Sequence, residues 1–140
     1  MRKTTLALVL LLAVGCAGSR KEGELPPLRS HVYRYTAFAE DGREVVRGWM
    51  HLDKTRGGVV GEWWLQPVGD PYAIGPQRGQ GLLRGTLREG HLVLELQPER
   101  RDDSVLLVET GSGKNLSGTW EWSGIAGVQG RGTWRAERDY

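Results

Sequence analysis

From residue 30 onward the chain predicts an all-β fold, a single antiparallel up-and-down barrel of about eight strands. Three observations carry that expectation. Apolar residues recur with a period of two, and no stretch of twelve residues holds the 3.6-residue period of a helix. Short Gly-rich turns of hairpin size separate the alternating runs. A Gly-x-Trp triplet recurs at Gly61-Glu62-Trp63, Gly118-Thr119-Trp120 and Gly132-Thr133-Trp134, with Gly85-Thr86-Leu87 as a leucine variant.

The elements follow in chain order. Arg2 and Lys3 precede an apolar run that ends at Gly15-Cys16. A charged start, about ten apolar residues and small residues at the end make a secretory signal over residues 1–15. The run is too short for a bilayer span, which takes ~20 apolar residues. Residues 16–29 are polar and small and contain Pro26-Pro27, so they read as a flexible tether. Residues 30–140 form the barrel domain.

Strands are expected near 31–39, 44–52, 59–66, 80–88, 91–97, 104–110, 116–123 and 128–138. The first begins His31-Val32-Tyr33-Arg34-Tyr35-Thr36, and Glu40-Asp41-Gly42-Arg43 turns it back through an Asp-Gly pair. On the second, Met50 and Leu52 oppose Trp49; on the third, Trp63 and Leu65 oppose Trp64. That phase directs one or both of Trp49 and Trp64 outward. Lys54-Thr55-Arg56-Gly57-Gly58 joins these two strands. On the fourth, Gly81, Leu83, Gly85 and Leu87 alternate with Leu82, Arg84, Thr86 and Arg88, and Arg88-Glu89-Gly90 leads into the fifth. There Leu92, Leu94 and Leu96 share a face. Thr110-Gly111-Ser112-Gly113-Lys114 separates the sixth strand from the seventh, where Leu116, Gly118, Trp120 and Trp122 alternate with Ser117, Thr119, Glu121 and Ser123. The last strand places Gly130, Gly132, Trp134 and Ala136 on one face. Each run has one face for a core and one for water. Eight meandering strands satisfy their edges best by closing. Glycine lets a coiled strand bend at a barrel corner, and the Trp two residues on is expected to fill the space the missing side chain leaves.

Two resemblances add to this reading. Ala13-Val14-Gly15-Cys16 resembles the lipobox of bacterial lipoproteins, with Ala13 where Leu is usual. The resemblance implies that Cys16 receives a diacylglycerol, that the peptide is cut before it, and that the new amino terminus takes a further acyl chain such as palmitate. It also implies a lipid anchor in the bacterial cell envelope. By resemblance to proteobacterial lipoproteins, Ala17, a non-acidic residue after the cysteine, implies sorting to the outer membrane, facing periplasm or surface. The recurrent Gly-x-Trp resembles that of the calycins, the lipocalin and avidin superfamily. Those proteins carry it once, on a first strand that here lacks it, so no ligand residue of theirs transfers.

Composition narrows the function. Of 19 basic residues, Arg2 and Lys3 leave with the signal, so 17 basic face 17 acidic residues in the mature chain. A neutral domain has no net field to attract nucleic acid. The single cysteine is assigned to lipid, so no intramolecular disulfide is expected and the fold rests on its apolar core. His31, His51 and His91 are isolated from other ligands at metal spacing, and no metal or other cofactor is expected. No Gly-x-Ser-x-Gly elbow occurs. Asp102-Asp103 sits in a mixed-charge run that reads as a hairpin loop.

The chain therefore reads as a non-catalytic protein that binds a small ligand or another envelope component. Trp63, Trp120, Trp122 and Trp134 are candidates to fill the interior or to line an apolar pocket there. Residues 68–79 form the longest irregular stretch, and Tyr72 and Ile74 within it either plug the barrel or contact a partner. With Trp64 they make up a candidate interface. On the alternative reading, a protein-binding or inhibitory envelope lipoprotein acts through this loop.

Overall fold

The computed structural model describes residues 31–111 and 114–139. The expected signal, Cys16 and the tether lie outside the described residues. Eight strands follow in order: β1 (His31–Ala39), β2 (Glu44–Thr55), β3 (Gly58–Pro67), β4 (Gly79–Arg88), β5 (His91–Leu96), β6 (Ser104–Glu109), β7 (Leu116–Gly124) and β8 (Gly127–Arg138). They form one closed barrel in chain order. Every pairing is antiparallel, and β1 meets β8 from Tyr33↔Arg138 to Ala39↔Gly132. Closure leaves no free sheet edge.

One connection is tighter than expected. β2 runs on to Thr55 and pairs Lys54↔Val59 and Thr55↔Gly58, so only Arg56 and Gly57 are left to turn. Gly58 and Val59 are buried while Lys54 and Thr55 opposite them are exposed, and backbone pairing does not require both strands to be covered.

The strands' alternation defines the two ends. One end carries the β1–β2, β3–β4, β5–β6 and β7–β8 connections; the other carries the remaining turns and receives the chain at His31. The long 68–78 connection covers the first of these, here called the lid end. Ile74 and Gln77 are fully buried. Gln77 accepts a hydrogen bond from the Tyr35 hydroxyl at 2.9 Å and donates to the Ile74 carbonyl at 3.1 Å. The loop is thereby tied to β1 in the middle of the barrel wall. Burial pushes the Tyr35 phenol well above its ordinary range and keeps it a neutral donor.

The axis of the barrel is filled with side chains. Tyr35, Ala37, Val46, Met50, Leu52, Leu94, Val105, Leu107 and Ala136 are completely shielded from solvent. Trp63, Trp120 and Trp134 are 2 % exposed. Each would remove roughly 4–6 kcal/mol worth of apolar surface from water. Each also satisfies its indole N–H: Trp63 donates to the Leu82 carbonyl at 3.1 Å, Trp120 to Phe38 at 2.9 Å and Trp134 to Thr119 at 3.0 Å. Trp134 stacks on Tyr35 with ring centroids 6.1 Å apart.

The glycines work across strands rather than along them. β7 and β8 pair Gly118↔Trp134, Thr119↔Thr133 and Trp120↔Gly132. The two Gly-x-Trp triplets thus lie antiparallel, each Trp opposite the other triplet's glycine. A Cβ at Gly132 would collide with the Phe38 carbonyl oxygen and crowd the Trp120 indole nitrogen at 2.7 Å. A Cβ at Gly118 would meet the Val108 carbonyl oxygen. β3 and β4 use the same device, Trp63↔Gly81, with the Trp63 ring 2.8 Å from where a Cβ would sit. The expectation that each Trp fills the gap of its own strand's glycine is corrected: side chains on one strand two residues apart stand side by side, whereas the opposite strand brings its residue directly across.

The outward face is charged, with Arg34, Arg47, Glu62, Arg84, Arg131 and Arg135 among its residues. A barrel built to span a bilayer shows the reverse polarity, with an apolar band outside and polar groups within. No helix among the described residues is long and apolar enough to cross a membrane.

Candidate functional site

The tryptophans divide by strand phase. Trp63 points into the core and Trp64, its neighbour in sequence, points out at 47 % exposure. On β2, Trp49 is out of phase with Met50 and Leu52 and is 38 % exposed. Register then brings the two outward rings together, since β2 and β3 pair Trp49↔Trp64. Arg34 of β1 faces Trp49 from the other side, its guanidinium 5.7 Å from the ring centroid. Gln80 of β4 lies opposite Trp64.

The adjoining outward row is Val32, His51, Glu62 and Leu82, again paired strand to strand. Together these two rows border an open groove of about 480 Å³. Its apolar residues are exposed: Val32 is 43 % and Leu82 58 % accessible. His51 is also 3.8 Å from Asp53 on its own strand. The groove thus offers two aromatic rings, an aliphatic margin and an imidazole, a carboxylate and a carboxamide. Such a surface suits an amphipathic ligand with one apolar face and polar groups at its edge.

The interior set is placed differently. Trp63, Trp120 and Trp134 are packed core. Trp122 is half-buried near the lid end, where its indole N–H donates to Asp103 Oδ1 at 2.5 Å. Gly75 of the lid loop sits against the Trp122 ring so closely that a Cβ there would collide with it. The loop residues separate as well. Ile74 is fully buried as a plug, whereas Tyr72 is 79 % exposed. Of the candidate interface, Trp64 and Tyr72 are therefore available at the surface.

His31 meets the Arg138 guanidinium across β1 and β8, and His91 Nδ1 lies 3.1 Å from the Glu109 carbonyl oxygen. Among the described residues no group of three or more His, Cys, Asp or Glu is placed to hold a metal ion. Sequence reasoning missed His51, Glu62, Gln80 and Leu82 as groove residues and Gln77 as a core residue. The signal for the first four lay in strand phase, but only the register shows that they adjoin the Trp pair. Gln77 gave no signal, because a polar residue in a Pro- and Gly-rich loop reads as exposed.

Fold and site together define a small closed antiparallel barrel with a packed interior and an aromatic groove on its outer wall. No family model matches the chain, and comparisons with curated proteins and with solved structures likewise gave no match.

Proposed function

We propose that this is a non-catalytic binding protein of the bacterial cell envelope, anchored by lipid at Cys16, that holds a small ligand or envelope component on the outside of its barrel. The observation that carries the reading is the exposed Trp49–Trp64 pair on β2 and β3, in a groove of about 480 Å³. Large exposed aromatics side by side are costly in water and are common binding anchors. The interior does not offer an equivalent, because its tryptophans are already packed and hydrogen-bonded.

The test is a titration with small amphipathic probes such as phenyl glycosides, followed by tryptophan fluorescence. Binding is expected to perturb the exposed indoles and to be lost in Trp49→Ala and Trp64→Ala. Retention of binding in both variants would move the site elsewhere. The anchor is tested separately: wild type is expected to partition into detergent and incorporate labelled palmitate, and Cys16→Ser to do neither.

The alternative, a protein-binding lipoprotein acting through the 68–79 loop, is favoured by one observation, the 79 % exposure of Tyr72 beside a buried Ile74. A pull-down that loses its partner in a Tyr72→Ala, Trp64→Ala double variant and keeps it in Trp49→Ala would select this reading.

A further inference from the structure

We infer that the lid end carries a second ligand site, one for the terminal carboxylate of an N-acylated amino acid, the group that ends a peptide chain. The site is a depression of about 350 Å³ between the 68–78 and β5–β6 loops, and it shares no residue with the outer groove. Arg78, Gln97, Arg100, Asp103 and Trp122 border it.

Charge is the first observation. Two guanidiniums face one carboxylate, and that carboxylate is engaged on both oxygens. Asp103 Oδ1 accepts from the Trp122 indole, and Oδ2 lies 3.8 Å from Arg100 Nη1. Arg78 makes no ion pair with any described residue. A guanidinium with unused donors in a concave site matches the two oxygens of a carboxylate.

An unused acceptor is the second. Gln97 Oε1 is buried and has no hydrogen-bond partner. Such a group is uncommon in a folded chain. Gln97 borders the depression, and a turn of its side chain would bring the acceptor to a donor lodged there. A bare inorganic anion carries no N–H for that role.

Backbone conformation is the third. Only three non-glycine residues have positive φ among the described residues, and two of them, Gln97 at 59° and Asp103 at 66°, border this depression. Residues held in the left-handed region against their preference concentrate where side chains must be aimed. The left-handed turn at Gln97 ends β5 and directs the chain into the loop that carries Arg100. An α-carboxylate with an amide N–H on the same carbon meets both demands, and Trp122 offers its flank an aromatic surface.

The experiment uses the folded chain and three probes: N-acetyl-L-alanine, its carboxamide N-acetyl-L-alaninamide, and acetate. The indole N–H resonance of Trp122 is assigned by its absence in Trp122→Phe and followed by NMR. N-acetyl-L-alanine is expected to shift it, and the other two probes to bind about tenfold more weakly or worse. Arg78→Gln and Arg100→Gln, at exposed positions where the fold is expected to survive, should each raise Kd about tenfold. Gln97→Met should abolish the preference over acetate while a carboxylate still binds. Equal binding of acid and amide, wild-type affinity in both arginine variants, or no response of Trp122 to any probe would overturn the inference.

Discussion

Trp63 and Trp64 are consecutive in the chain and belong to different chemistries. Trp63 is 2 % exposed, donates to the Leu82 carbonyl and covers Gly81 on the next strand. Trp64 is 47 % exposed and is paired sideways with Trp49. The same side chain thus closes the barrel on one face and is left open on the other. The difference separates stability from the proposed binding: the inner face is tied up in its own packing, and the proposed sites lie on the outer wall and at the lid end.

The largest expected effect comes from opening the inner face. Trp134 stacks on Tyr35, lies across from Gly118 and donates to Thr119. Trp134→Ala removes all three contacts and leaves a void that β7 and β8 cannot collapse into without breaking their pairing. The expected loss is about 3–5 kcal/mol, read from denaturant unfolding. A loss below about 1 kcal/mol would mean that the interior is loosely packed and that the contrast between the two faces is weaker than drawn.

This inner face was largely legible in the sequence. The strands follow the period-two runs to within a few residues, because one wet face and one dry face force strict alternation. Leu83, Leu94, Trp120 and Trp134 were on the predicted inner face, and the Asp-Gly of Asp41-Gly42 was a turn. Pairing across strands was not legible. That Trp120 sits over Gly132, or that Trp49 adjoins Trp64, depends on register, which is set jointly by turn lengths and closure and not by either strand alone. The lid was hidden for another reason: Gln77 is satisfied in the core by the Tyr35 hydroxyl, 42 residues earlier, and by the Ile74 carbonyl, partners that no local pattern announces.

A smaller effect is expected where a polar contact joins lid and interior. Tyr35→Phe keeps the ring and strands Gln77 Oε1 without its donor, at a cost of about 1–3 kcal/mol. This change also sharpens the pH behaviour of the core. Burial raises the folded pKa of Tyr35 above the ordinary value of 10.0. The unfolded chain therefore releases the phenolic proton first. The stabilisation is complete below the unfolded value and is lost progressively as pH rises past it. Wild type is expected to lose stability above about pH 10, and Tyr35→Phe to lose less over the same window. Parallel curves for the two proteins would place the alkaline transition in another group, such as Tyr33, whose pKa burial also raises.

The smallest effect on stability, and the most informative about function, is expected on the outer face. Trp64→Ala removes a ring that is half in water and donates no hydrogen bond to the described residues, so the loss of its cross-strand pairing with Trp49 should cost about 1 kcal/mol or less, well below the loss at Trp134. Its neighbour Trp49 keeps the Arg34 guanidinium over its ring, so the outer wall remains partly covered. Binding in the groove should nevertheless fall by about tenfold or more, because the two rings contact a ligand as one surface. Unfolding and probe titration on the same preparation separate the possibilities. A stability loss as large as that of Trp134→Ala would make Trp64 a structural residue and remove the groove's claim to function. An unchanged stability with unchanged probe binding would leave the exposed pair without that role and shift attention to the lid end. Little-changed stability with lost binding is the outcome the proposed groove predicts, because Trp64 lies outside the packed core and is open to a ligand.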